Sequence, residues 1–384
     1  MTAGRSRPYC EKAMGEPRPL GTGAEFVVVG AGLLGLSTAW QLIRRRREVM
    51  VLETARVGHA GCGSKGLCRI FRLGYDDPRY VEMAKRALPL WRELEADTDS
   101  ILLTTTGQLT FGPGLEALRA GLAAADGAFE VWSSSESARH FPDVVPPGPA
   151  VFEPDSGVIN AERCLKVLRL AVDASLHEEV SVVRMADHGS GVTVETTRGM
   201  IRASTVVCCA GPWTASILAT AGIHLDLRAS LEQVAYFASR HSGPSSLPVI
   251  IERAEPMVYG LPTPDGGLFK FGRHQSSPPV APDRADLAPD PDDDRPLGAA
   301  VRRLLPGFGS RPVASERCFY DNSPDQDFVI DRVGRIVIGA GTSGHGFKFG
   351  PLLGEILADL AQGLKPRMPI GWLAASRAAL AVRR

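Results

Sequence analysis

The sequence lacks an excess of either charge: 43 lysine and arginine residues balance 43 aspartate and glutamate residues. Without a net field, nothing in the composition favours nucleic acid or a membrane surface as a partner. Also missing is any apolar run approaching the length of a membrane span. Residues 1–24 are rich in Arg, Pro and Gly and have no apolar core of the kind a signal peptide needs. The seven cysteines (10, 62, 68, 164, 208, 209 and 318) show no zinc-ligand spacing, and their odd number argues against a disulfide framework. Together these absences lead to the expectation of a cytoplasmic globular protein with a loose tail over 1–24; a monomer or weak homodimer is expected separately. Lysine is scarce as well, at seven of the 43 basic residues. Where arginine is the default cation, a lysine in a Gly-rich setting is a candidate for work that needs a compact, titratable ammonium, although mutational drift accounts for several of the seven.

At 384 residues the chain is long for one core and fits two domains or one elaborated domain. Its first clear element is an apolar strand, Phe26-Val-Val-Val29, running into Gly30-x-Gly32-x-x-Gly35 and then a helix with Leu36, Ala39, Trp40 and Ile43 on one face. That helix ends in the basic run Arg44–Arg47, read as a solvated helix end complementing the dipole. A second strand follows and closes on Glu53. The glycines permit a tight turn and let backbone N–H groups approach a pyrophosphate at the helix N-terminus. Glu53 suits the ribose hydroxyls of an adenosine. A lone GxGxxG is weak; in this setting it reads as a dinucleotide site.

Further on, 161–176 reads as a helix, followed by strands near 180–183, 191–195 and 205–211. Two other blocks, 102–149 and 223–318, carry strand-like segments such as 231–238 and 267–272. The Pro- and Asp-rich stretch 276–297 reads as a surface loop with no sign of chemistry. At the C-terminal end, a strand over 335–341 leads to the Gly-rich loop Thr342-Ser-Gly-His-Gly-Phe-Lys348. A helix follows from Pro351, with Leu353, Ile356, Leu357, Leu360 and Leu364 as its apolar stripe. Such a loop offers donors and a positive dipole end to an anion, here the other end of the cofactor.

On these motifs the chain resembles the monomeric sarcosine oxidase and N-methyltryptophan oxidase family of D-amino-acid-oxidase-like flavoproteins. The resemblance covers nearly everything after residue 25. It rests on the glycine motif with Glu53, on Gly63-Ser-Lys-Gly-Leu-Cys-Arg-Ile-Phe-Arg72, and on Tyr259-Gly-Leu-Pro with Phe269-Lys-Phe-Gly-Arg-His274. Cys318-Phe-Tyr with Asp331, and Gly341 to Lys348, complete it. It implies an α/β (α+β overall) architecture. A Rossmann-like FAD-binding domain (25–101, 150–222 and 319–384) is interrupted by a second, mostly antiparallel-sheet substrate domain (102–149 and 223–318).

The resemblance implies FAD, bound by Gly30, Gly32, Gly35, Glu53, Ser64, Arg69, Gly341, Gly344, Gly346 and Lys348, and attached covalently through Cys318. The interval from Cys318 to Asp331 is the one found in covalent members. A buried structural cysteine is the plain alternative. The family assignment also places Lys348 and Arg72 at the substrate carboxylate, Arg69 beside the flavin, Lys270 on the face where O2 reacts, and Tyr259 and His274 in the substrate site. Physical chemistry asks for the same parts. A cation and a helix N-terminus stabilise negative charge on a reduced flavin, and a fixed cation favours formation of superoxide. Surface cations, a lysine at a strand edge and packed aromatics are the bland readings of these residues.

Position 65 departs from the family, with lysine where its best-known members have histidine, so sarcosine itself is not assumed. Cys62 and Cys68 also depart and read as small packing residues. The expected activity is oxidation of a secondary amine or cyclic imino acid bearing a carboxylate, giving an imine and hydrogen peroxide. One alternative is a biosynthetic tailoring oxidase acting on a ring amino acid. Another is an NAD-binding dehydrogenase or a non-catalytic dinucleotide-binding protein, which the glycine motif and Glu53 alone permit.

Overall fold

The computed structural model describes residues 19–240, 247–377 and 380. Most of the expected tail thus lies outside the described residues, and Gly23 already opens the first strand. Among the described residues, no helix is long and apolar enough to cross a membrane.

The apolar run Gly23–Val29 sits at the centre of an eight-stranded sheet, parallel to Val49–Leu52 on one side and to Gly199–Cys208 on the other. Gly199–Cys208 changes partner along its length. Its first half pairs antiparallel with Val192–Thr196, and residues 206–208 pair parallel with Ile336–Ala340. The helices Leu33–Arg44 and Gly350–Ala361 pack against each other on one face of this sheet. They approach so closely that a Cβ on Gly354 would lie 2.6 Å from the Cβ of Ser37.

A second sheet has nine strands and separates chemistry from packing by the period of two along each strand. Residues paired across strands share a face. Tyr236 lies opposite Lys270, Lys270 opposite Leu261, and Cys318 opposite Glu232. Tyr259, Glu316 and Tyr320 belong to the same face by alternation. The other face is mainly apolar packing: Ala235, Phe237, Ile250, Phe269 and Phe271 pack with Leu297, Val301 and Leu304. Farther along it, Gln233, Ser315 and Arg317 bond to Asp293 and Asp294 at the start of the covering helix. Burial on the order of 1.5–3 kcal/mol per large apolar side chain stabilises that face. A small antiparallel sheet, Cys68–Phe71 with Gly157–Asn160 and Leu103–Thr105, bridges the two larger ones.

Several expectations shift. The helix expected over 161–176 stops at Ala171, and Leu176–His177 instead extends the first sheet beside Val49–Leu52. The 276–297 stretch is not all loop, because the helix Pro291–Leu304 begins within it. Its Asp and Pro residues are those of a helix start: Asp290 accepts from the N–H of Asp292 at 2.9 Å, and Pro291 opens the first turn. Leu364 lies beyond the last helix and is exposed, so the stripe ends with Leu360. The basic run after the first helix is tethered as well as solvated, with Arg44 on Glu93 (2.5 Å) and Arg45 on Asp359 (2.7 Å). Ala150–Glu153 pairs in the second sheet, and Ala314–Asn322 continues there past 318.

Candidate active site

A cavity of about 500 Å³ runs between the glycine motif of the first sheet and the polar face of the second. At one end its wall is mostly backbone. Gly30 has φ +94°, and a Cβ there would lie 2.4 Å from the carbonyl oxygen of Cys209. Gly35 carries its helix against the turn so closely that a Cβ would fall 1.9 Å from the oxygen of Gly30. The N–H of Ala31 donates to Glu53 Oε2 at 2.7 Å, and that of Leu33 donates to Ser64 Oγ at 3.0 Å. The helix Leu33–Arg44 starts at Gly32 with no cap from that residue's side chain. Tight turn, helix start and a buried acid make a cradle that fits the pyrophosphate and ribose of a dinucleotide. His59, with Nε2 3.6 Å from Glu53, is a further wall residue at this end.

At the other end the wall is cationic. Arg69 is held by three carbonyls: those of Cys68 (3.0 Å), Gly63 (3.2 Å) and Lys65. Lys270 is 2% exposed and donates to the oxygen of Cys68 at 3.2 Å. Burial, and then the charge of Arg69, hold its ammonium below the ordinary lysine range. Lys348 is also buried, and burial followed by Arg72 pushes it well below that range. Its Nζ donates to Tyr75 Oη and to the oxygen of His345, both at 2.8 Å. Two of its N–H groups are therefore spent on the protein, and Lys348 also lines the cavity. The indole of Trp91, on the long helix Pro78–Thr98, fixes the same turn by donating to the oxygen of Lys348 at 2.7 Å. The Arg72 guanidinium lies 4.5 Å from the centre of the Tyr75 ring.

Tyr259 and His274 complete this end. Burial raises the Tyr259 phenol above its usual range. Burial, Arg72 and Lys348 lower His274 to about 4, so it is neutral at physiological pH. Cys318 is a free, buried thiol on the cavity wall. Burial pushes it up, while Arg69 and Lys270 pull it back.

Of the residues expected from sequence, Gly30, Gly32, Glu53, Ser64, Arg69, Arg72, Tyr259, Lys270, His274, Cys318, Gly344, Gly346 and Lys348 all line this one cavity. Three do not. Gly35 lies beneath the turn, and Gly341 (φ +64°) turns the chain out of its strand. Lys65 points its Nζ at Glu316, 3.8 Å away. Sequence reading passed over Tyr75, His345, Tyr236, Tyr320, Glu232 and Glu316. One left a signal: Tyr320 follows Cys318 at the interval of two that keeps it on the same face. It also passed over Asp283, a wall residue in the supposed loop, which accepts from the Trp213 indole at 2.5 Å. Among the described residues, no group of His, Cys, Asp and Glu side chains is arranged to hold a metal ion.

Residues 25–360 match the family described as FAD dependent oxidoreductase. The chain belongs to that family. Peroxisomal sarcosine oxidase of Mus musculus is 32% identical over 89% of this chain and 93% of its own length. Monomeric sarcosine oxidase of Bacillus sp. (strain B-0618) is 29% identical over 94% and 98%. Among solved structures, NikD, an unusual amino acid oxidase essential for nikkomycin biosynthesis, superposes with a TM-score of 0.85 at 26% identity. The match covers 94% of this chain and 99% of that one. Membership in a family of FAD-dependent oxidoreductases sets aside the reading as an NAD-binding or non-catalytic protein, and the backbone cradle and cationic end are the parts such a flavoenzyme needs.

Proposed function

We propose that this FAD-dependent oxidoreductase oxidises a secondary amine or cyclic imino acid bearing a carboxylate, releasing an imine and passing the electrons to O2 as hydrogen peroxide. One observation carries the reading: four buried or half-buried cations, Arg69, Arg72, Lys270 and Lys348, meet around one cavity whose far end fits a dinucleotide. When bound, the flavin supplies the two-electron acceptor and the route of those electrons to oxygen.

The protein's part is placement and electrostatics. Arg72 and the remaining N–H of Lys348 hold the carboxylate, and the amine is thereby oriented for reaction. With these cations close by, an ammonium is disfavoured, so the site selects the neutral amine. No strong general base is required. His274 is neutral and serves as a hydrogen-bonding wall together with Tyr259. Lys270 stands as the fixed charge that favours one-electron transfer to oxygen. Cys318 would hold the flavin through a thioether to its 8α-methyl group, a reading supported by its buried place on the wall and by the family interval to Asp331.

Acid precipitation tests the tether. The wild-type protein should retain yellow flavin in the pellet, whereas Cys318→Ser should release it to the supernatant. Release from the wild type would overturn the attachment and leave the reaction standing. The similarity to NikD favours a second reading, a tailoring oxidase that dehydrogenates a ring amino acid. Product analysis with ring amines against N-methyl amino acids separates the two.

A further inference from the structure

We propose that Glu316 is the counter-charge of the Lys270–Arg69 pair, and that Lys65 acts on the site by moderating that counter-charge rather than by touching substrate. Glu316 is two residues before Cys318 on the strand Ala314–Asn322 and shares its face. Its Oε1 accepts from the Tyr236 hydroxyl, and Tyr236 is the cross-strand partner of Lys270, whose Nζ lies 5.8 Å from the Tyr236 ring centre. Its Oε2 is 3.8 Å from Lys65 Nζ. A Cβ on Gly66 would lie 2.9 Å from both Glu316 Oε1 and Arg69 Nη1, so the opposite charges flank a single backbone position.

The groups that face Lys270 are few. Arg69 and Cys68 come from the strand Cys68–Phe71, Cys318 and Glu316 from Ala314–Asn322, and Tyr236 from Arg228–Ala238. Burial and Arg69 oppose its charge, and Glu316 is the one carboxylate among these neighbours that supports it. Lys65 is the more exposed partner of the ion pair, at 39% against 21% for Glu316. It stands on the solvent side of Glu316, and it withdraws part of the support that Glu316 gives. Glu316 and Lys65 are therefore positioning residues that act through Lys270.

The inference rests on the oxygen-side reading of Lys270 only for its kinetic consequence. The scarcity of lysine makes the electrostatic part directly measurable. In holoenzyme labelled with 13Cε-lysine, seven side chains contribute signals, and Lys270→Met identifies the resonance of Lys270. Glu316→Gln should lower the pH midpoint of that resonance by about one unit, as loss of a neighbouring opposite charge does. Lys65→Met should move it upward by less. Opposite directions are the signature, because a loosened structure would move both variants the same way. An unchanged midpoint in Glu316→Gln, or shifts of one sign in both, would overturn the proposal. If Glu316→Gln does not fold, Lys65→Met decides alone: an upward shift supports the assignment, and no shift or a downward one overturns it. The alkaline limb of the oxidative half-reaction should follow the midpoint. A midpoint that moves while the limb stays would uphold Glu316 and remove Lys270 from the oxygen reaction.

Discussion

At the glycine end of the cavity the wall is peptide backbone, shaped by glycines and closed by one acid, Glu53. At the opposite end the wall is side chain: Arg69, Arg72, Lys270 and Lys348, each held by carbonyls, aromatic rings or a phenol. The two ends solve different problems. A pyrophosphate needs many weak donors at close range, which only bare backbone supplies, and a reacting centre needs full charges at fixed points. The first solution tolerates no added atoms. The second tolerates changes of shape and is sensitive to changes of charge.

That contrast can be broken at either end. The largest expected effect is at the backbone end. Gly35→Ala places a methyl group 1.9 Å from the oxygen of Gly30, so the turn must open. The purified variant should be colourless or unfolded, by absorbance near 450 nm and by circular dichroism. Full flavin content would show that the turn is not the cradle. At the cationic end, Lys270→Met keeps the bulk and removes the charge. The oxidative half-reaction should slow on the order of a hundredfold or more, while anaerobic flavin reduction changes little, as read by stopped-flow. Because burial and Arg69 already lower the Lys270 ammonium, the wild-type oxidative step should also fall as pH rises, when that ammonium loses its proton. Equal loss in both half-reactions of Lys270→Met would erase the distinction between the ends. A smaller signal belongs to His274. Held near 4, it should contribute no inflection around pH 6.5 to substrate reduction.

The backbone end was legible in the sequence because its parts are contiguous: strand, glycines, helix, second strand and Glu53 follow one another between 26 and 53. At the cationic end the Gly-rich loop before Lys348 carried a local signal, whereas Arg69, Arg72 and Lys270 were legible only through the resemblance, since they come from distant segments brought together by the fold. What stayed hidden were partners with no local signature. Tyr236 and Glu316 meet because Arg228–Ala238 and Ala314–Asn322 pair antiparallel, a register that no short window reveals. Lys65 stands where the resemblance has histidine, and its partner Glu316, 3.8 Å away in the fold, lies 251 positions on in the chain, beyond any local pattern. The Asp- and Pro-rich stretch was misjudged for a related reason. Those residues also begin helices, and the apolar face that makes Pro291–Leu304 helical lies mostly beyond 297.

The most direct test of the central claim pairs each amino acid with its own ester. Under anaerobic conditions, a panel of N-methyl and cyclic amino acids and their methyl esters is mixed with the enzyme and flavin bleaching is followed. At least one acid should bleach the flavin rapidly, and its ester should do so on the order of ten- to a hundredfold more slowly, the loss expected when charge-assisted hydrogen bonds from Arg72 and Lys348 are removed. Bleaching by acid and ester at equal rates, or by none of the acids, would contradict the reading of this cavity as a site for carboxylate-bearing amines.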